Sequence, residues 1–121
     1  ELLKELFSNA YFYCLPSQIE GLSLSLLEAM SYGTCVLVSD IPENTDVIER
    51  FGVSFRVGDV EHLRQQMQSL VDSPQQVQIM GRLGQEHVRS HYSWDRSVSE
   101  LEKLYEGLLS GQCPKVQYAV S

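Results

Sequence analysis

Apolar residues recur along the chain in two alternating rhythms. Tyr11-Phe12-Tyr13-Cys14-Leu15 is an aromatic and aliphatic run of strand length, which predicts a buried strand. Pro16 and Ser17 break it, and Gly21 permits a tight turn. From about Leu22 the period changes to 3.6, with Leu22, Leu26, Ala29 and Met30 on one stripe. Gly33 stands where a left-handed cap ends a helix. Cys35 to Ser39 is a second continuous apolar run, of the kind buried on both faces of a parallel sheet. Ahead of the first strand, Glu1 to Asn9 reads as a helix with Leu2, Leu3, Leu6 and Phe7 on one face.

The same alternation continues downstream. Asp40-Ile41-Pro42-Glu43-Asn44 reads as a loop at the sheet edge that carries Glu20, with Asn44 or Thr45 capping a short helix through Glu49. Gly52 to Arg56 is a short third strand. Asp59 caps a helix whose apolar face is Leu63, Met67, Leu70 and Val71. Ser73-Pro74-Gln75-Gln76 is a helix start, with Ser at the N-cap, Pro at N1 and Gln at N3. That helix carries Val77, Met80, Leu83, Gly84 and Val88 to about His91. Ser93 caps a last helix with Trp94, Val98, Leu101, Leu104, Tyr105 and Leu108 turned inward. Strands alternating with helices predict an α/β, doubly wound, Rossmann-like parallel sheet with helices on both faces. The expected organisation is one domain over 1–110 and a tail over 111–121 without periodicity.

Composition narrows the partners. The chain has 121 residues and a formal charge of −7, which argues against nucleic acid or an anionic membrane surface as its main partner. No segment has the apolar length of a membrane span, and no signal peptide opens the chain. Cys14 and Cys35 fall in the strands and read as core thiols of a reducing compartment, so a cytoplasmic location is expected; Cys113 falls in the tail. His87 and His91 lie four apart on a helix but have no third ligand at a suggestive spacing, so no metal is expected. Ser17, Ser23 and Ser25 have no His–Asp partner that would argue for nucleophilic catalysis.

The chemistry concentrates at the first strand–loop–helix unit. The opening turn of a helix leaves N–H groups unpaired and carries partial positive charge, which suits a phosphate. Glu20 stands before those donors and is suited to sugar hydroxyls or to a developing positive charge. Glu28, two turns down, offers two acceptor oxygens to a vicinal diol such as a ribose. A hydrogen bond to a charged group contributes roughly 1.5–3 kcal/mol, enough to set orientation.

The run from Glu20 to Gly33, followed by Thr34-Cys35-Val36-Leu37-Val38-Ser39-Asp40, resembles the signature of family 4 (group 1) retaining glycosyltransferases, enzymes of GT-B fold. Glu20 and Glu28 match their E-x7-E motif. The likeness extends through Glu5 to Ala10, Val57 to Leu63, Tyr92-Ser93-Trp94 and Leu104-Tyr105, and so covers most of the chain. It implies the carboxyl-terminal half of a GT-B donor domain, with upstream strands and an amino-terminal acceptor domain missing. It also implies a retaining transfer from a nucleotide-diphosphate sugar to an acceptor hydroxyl, in glycan or polysaccharide biosynthesis, with no cofactor or metal required. Glu20 would be the catalytic residue beside the transferred sugar, and Glu28 would bind the ribose. The Gly21 turn and the backbone amides of Leu22, Ser23 and Leu24 would face the diphosphate and sugar.

The chain departs from the family pattern at three places. Leu22-Ser23 replaces a common Phe-Gly, and Ile41-Pro42-Glu43 follows Ser39-Asp40 where many relatives have Gly-Gly. The family's diphosphate-binding Arg and Lys have no counterpart before Glu20, since Lys4 lies in a helix. The chain alone is therefore expected to bind donor weakly and not to catalyse transfer. A truncated, non-catalytic nucleotide-binding or interaction module is the alternative reading. A GT-B sugar-nucleotide epimerase is a third, against which the matches at Glu20 to Gly33 and Ser93-Trp94 speak.

Overall fold

The computed structural model of the chain describes residues 1–111. The expected tail and Cys113 lie, but for Gly111, outside the described residues. Two units are distinguished, one over Glu1–His91 and one beginning at Tyr92.

The first unit runs α1 (Leu2–Asn9), β1 (Phe12–Leu15), α2 (Leu24–Ser31), β2 (Cys35–Ser39), α3 (Pro42–Ile48), β3 (Val53–Phe55), α4 (Val60–Asp72) and α5 (Pro74–His91). The strands form a parallel sheet in the order β1-β2-β3, with Phe12 opposite Cys35 and Leu37 opposite Val53. All five residues of β2 are buried, as its unbroken apolar run predicts. β1 is only half-buried along its length, contrary to the buried strand expected. An apolar run has the same composition at an edge as at the centre, and β1 is an edge strand of this sheet.

Helices cover both faces. On one, Cys35 and Leu37 pack with Phe55, Leu70 of α4 and Val77 of α5, and Leu63, Met67 and Met80 close the cluster. On the other, the Tyr13 hydroxyl donates to Ser25 Oγ of α2 at 3.0 Å, and Val36 lies beside Ile48 of α3 where Gly52 leaves room for both. Burying residues of this size stabilises by about 1.5–3 kcal/mol each. This drive holds α2 and α3 on the sheet and so fixes where their amino ends emerge.

Local capping follows the sequence at several points. Gly33 has φ +79°, its N–H donates to the Met30 carbonyl, and that of Thr34 donates to the Ala29 carbonyl. This double closure is a Schellman motif, and it ends α2 as the glycine predicts. Asp59 accepts from the His62 amide at the start of α4. The short helix α3 differs from expectation: it starts at Pro42, with Ile41 in the N-cap position and no side-chain cap. Proline at the first helical position supplies the fixed φ that makes a polar cap dispensable. Asn44 is thereby placed inside the helix, where it is buried.

Of the α1 stripe only Phe7 is buried; Leu2, Leu3 and Leu6 remain exposed. Phe7 is held by edge-on contact with the Tyr13 ring and by stacking on Tyr32. The second unit holds α6 (Trp94–Leu109), capped where expected by Ser93, whose hydroxyl accepts from the Arg96 amide. Its apolar stripe is not turned inward: α6 buries no side chain, and Trp94 is 80% exposed. A single amphipathic helix has no second layer of its own against which to bury a stripe.

Candidate active site

The β1–α2 loop, the β2–α3 junction and the β3–α4 loop meet at the carboxyl edge of the sheet, where open parallel sheets place their ligands. Glu20 lies in the second half of the first of these loops and is half-buried. Its Oε1 accepts a hydrogen bond from the Ser17 hydroxyl. Gly21 and Leu22 follow in exposed backbone, and a side chain at position 21 would meet open space.

Helix α2 begins at Leu24, two residues later than its apolar period suggests, and Ser23 is the N-cap. The Ser23 side chain does not cap the helix; it is buried, and its hydroxyl lies 3.2 Å from that of Ser25. The amides of the first turn therefore receive no hydrogen bond from the cap side chain and retain their attraction for an acceptor. The axial face of α2 is divided cleanly. Leu26, Ala29 and Met30 are buried, while Leu24 and Glu28, one turn apart, are exposed on the opposite side. Glu28 stands about 6 Å along the axis from the first helical residue. Its carboxylate makes no hydrogen bond or ion pair among the described residues. Glu20, Gly21, Leu22, Ser23 and Leu24 are thus gathered at the opening of α2, and Glu28 lies one turn below Leu24 on its outer face.

Two residues at the end of β2 brace the edge, and sequence reasoning missed both. The Ser39 hydroxyl donates to the Ser17 carbonyl, tying β2 to the β1–α2 loop. Asp40 Oδ1 accepts from the Val57 amide at 2.8 Å, tying β2 to the β3–α4 loop. The only local signal was their place after an apolar run; their partners are distant in sequence. A depression lined by Arg64, Gln68, Asp72 and Ser73 lies along α4. Its far end is toward the amino edge of the sheet, where Tyr11 donates to the Leu70 carbonyl, and it takes no part in this constellation.

The environment of both sheet thiols disfavours the thiolate. Burial pushes Cys35 up to about 11 and raises Cys14 as well. The His87 and His91 rings stack at 4.6 Å, and each turns a ring nitrogen onto a backbone carbonyl, of Val47 and of His87 respectively. Among the described residues no group of three or more His, Cys, Asp or Glu could hold a metal ion.

Comparison with known proteins decides the family. The family model described as Glycosyl transferases group 1 matches residues 1–87, which include both glutamates and the whole carboxyl edge. The chain belongs to the group 1 glycosyltransferases. Within this family it is 30% identical to an MMP alpha-(1->4)-mannosyltransferase of Mycolicibacterium hassiacum, over 88% of this chain and 26% of the relative. It is 28% identical to a glycogen synthase of Clostridium kluyveri, over 89% of this chain and 24% of that enzyme. A sucrose-phosphate synthase from Thermosynechococcus elongatus superimposes with a TM-score of 0.81 at 25% identity, covering 87% of this chain and 27% of the other. This glycosyltransferase chain thus spans about a quarter of the length of these relatives. The GT-B likeness of its fold, a parallel sheet layered by helices, agrees with that neighbour. No helix among the described residues is long and apolar enough to cross a membrane.

Proposed function

We propose that this chain is the donor-binding part of a retaining glycosyltransferase that takes its sugar from a nucleotide-diphosphate sugar. The observation that carries the reading is the uncapped opening of α2, with Glu20 in the loop before it and Glu28 one turn below Leu24, all within the group 1 match. The diphosphate lies against the amides of Leu22, Ser23 and Leu24, drawn by the helix end. Glu28 accepts hydrogen bonds from the ribose hydroxyls. Glu20 contacts the transferred sugar beside its reacting carbon.

In the reaction the bond from the sugar's anomeric carbon to the diphosphate oxygen breaks with its electron pair leaving on the diphosphate. The acceptor oxygen bonds to the same face, and its proton passes to the departing phosphate oxygen. Positive charge on the sugar ring peaks between these events, and the Glu20 carboxylate steadies it electrostatically. Configuration is retained because entry and departure share one face. The chain's own residues supply only Lys4 as a cation ahead of Glu20, so the leaving diphosphate depends on cations from elsewhere, and the chain alone binds donor weakly.

Calorimetry with UDP, GDP, ADP and their sugars tests this, on the chain and on the chain joined to the complementary part of the mannosyltransferase. One nucleotide sugar is expected to bind the joined protein, and Glu28→Ala is expected to weaken it by roughly tenfold or more, the worth of a charged hydrogen bond. Glu20→Gln should lower turnover by about 100-fold with little change in KM. Binding of none of the panel overturns the donor site. Ribose-dependent affinity unchanged by Glu28→Ala overturns the role of Glu28.

A further inference from the structure

Two polar side chains are sealed completely inside the carboxyl edge. Ser39 and Asn44 are both 0% exposed, on β2 and α3, elements whose Val38, Val47 and Ile48 are buried as well. Asn44 Nδ2 donates to Ser39 Oγ at 3.1 Å and, at 3.4 Å, to the Ser39 carbonyl. That carbonyl can only accept, which fixes the orientation of the amide. The Ser39 hydroxyl, its lone pair taken by Asn44, spends its one proton on the Ser17 carbonyl. The Ser17 hydroxyl in turn donates to Glu20 Oε1. The donor direction therefore runs one way, from Asn44 through Ser39 to Ser17 and on to the carboxylate.

Stability alone does not account for this chain of contacts. Asn44 Oδ1 is buried with no hydrogen-bond partner among the described residues, a cost that an aliphatic residue of similar volume would avoid. What the amide contributes is its N–H side, which faces Ser39. We propose that Asn44, Ser39 and Ser17 are positioning residues for Glu20. They pin the β1–α2 loop to the centre of the sheet and hold Oε1, so that Oε2 is presented to the sugar. The inference rests on the donor-site reading for its purpose but makes a structural claim of its own.

The test is nuclear magnetic resonance on the uniformly labelled 121-residue chain, reading the Glu20 χ1 angle from three-bond couplings to Cγ. The unaltered chain is expected to show a single rotamer. Ser17→Ala, Ser39→Ala and Asn44→Ala are each expected to lose it to averaging, while Ser17→Thr, which keeps the hydroxyl, retains it. Ser17 lies in a half-buried loop, so its alanine variant keeps the sheet, as amide shifts of β2 will check. A Glu20 already averaged in the unaltered chain overturns the proposal, as does one still fixed in Ser17→Ala, or one averaged in Ser17→Thr. Donor calorimetry separates the two readings. A fixed Glu20 with no donor bound defeats the donor site and leaves the positioning intact; a bound donor with Glu20 averaged throughout does the reverse.

Discussion

Gly81 sits where α5 crosses the turn that ends α2, and replacing it with alanine is a demanding test of the packing. A Cβ at that position would lie 2.1 Å from the Gly33 carbonyl oxygen and 3.1–3.2 Å from the Gly33 carbonyl carbon and the Cys35 nitrogen. All three are backbone atoms, so no side chain can rotate away; either α5 or the 33–35 turn must move. Gly33 is fixed by its positive φ and by the closure onto Met30. α5 is fixed by Val77 in the core and by Gln85, which donates to the Ser31 carbonyl at 2.7 Å. Overpacking of this kind costs about 3 kcal/mol, the upper part of its usual range. Alanine's better helix propensity returns about 1 kcal/mol. The net loss of about 2 kcal/mol corresponds to a fall in Tm of roughly 10 °C for a domain of this size.

Gly84→Ala, one turn on, is the internal control. Its Cβ would meet the flexible Met30 Cε and the Phe51 carbonyl oxygen, each at 3.3 Å. A shift of a few tenths of an ångström relieves both, and the propensity gain of about 1 kcal/mol offsets the remainder. Urea titration of both variants, followed by far-ultraviolet circular dichroism, gives the comparison through the midpoint at constant m. A Gly81→Ala chain as stable as the parent, or as stable as Gly84→Ala, would refute the close approach of α5 to the turn.

Two further outcomes concern titrating groups. Burial that pushes the Cys35 thiol up to about 11 leaves almost no thiolate at pH 8, so native Cys35 should resist aromatic disulfide reagents and react only on unfolding. Peptide mass mapping of labelled sites reads this, and rapid labelling in the native chain would count against the buried strand. Glu61 meets Arg64 in a two-point contact at 2.6 and 2.9 Å, and with Gln65 this draws its carboxyl down from 4.5 to about 2. A depressed carboxyl favours the fold above its unfolded value; the benefit is present above pH 4.5 and fades as the pH falls towards 2. The pair is exposed, so the effect on stability is small and screened by salt. The carbon resonance of the Glu61 carboxyl should titrate near pH 2, and in Arg64→Gln its midpoint should move back towards 4.5.

What was legible in the sequence was local. Gly33, Asp59 and Ser93 act within one turn of themselves, and the structure places each at the helix end it marks. The β2 run is legible because a strand buried on both faces leaves no polar alternation. Periodicity identified the apolar stripes of α1 and α6 but could not say whether a neighbour covers them, and among the described residues only Phe7 is buried there. The start of α3 was missed because Asn44 and Thr45 look like caps, whereas Pro42 carried the better signal. Glu20 and Glu28 became candidates through a family motif rather than through local pattern. Ser39 and Asn44 were not, because Ser39 reaches across 22 residues to Ser17, and no spacing rule links a strand end to a loop on its neighbour.

The proposed donor site also restricts what its ligand must contain. An anion alone would gain from the uncapped amides of α2 but would be repelled by Glu20 and Glu28, in a chain that already carries a formal charge of −7. A neutral polyol alone would satisfy the two carboxylates and leave the helix end unused. A molecule with anionic groups at its middle and hydroxyls at both ends meets both demands. The proposed nucleotide-diphosphate sugar has that order: ribose, diphosphate, hexose. It follows that removing either end should weaken binding through a different glutamate. A nucleoside diphosphate lacking its sugar should not be weakened by Glu20→Gln, which removes only a repelling charge, yet should be weakened by Glu28→Ala, and calorimetry that found both to weaken it equally would contradict the arrangement.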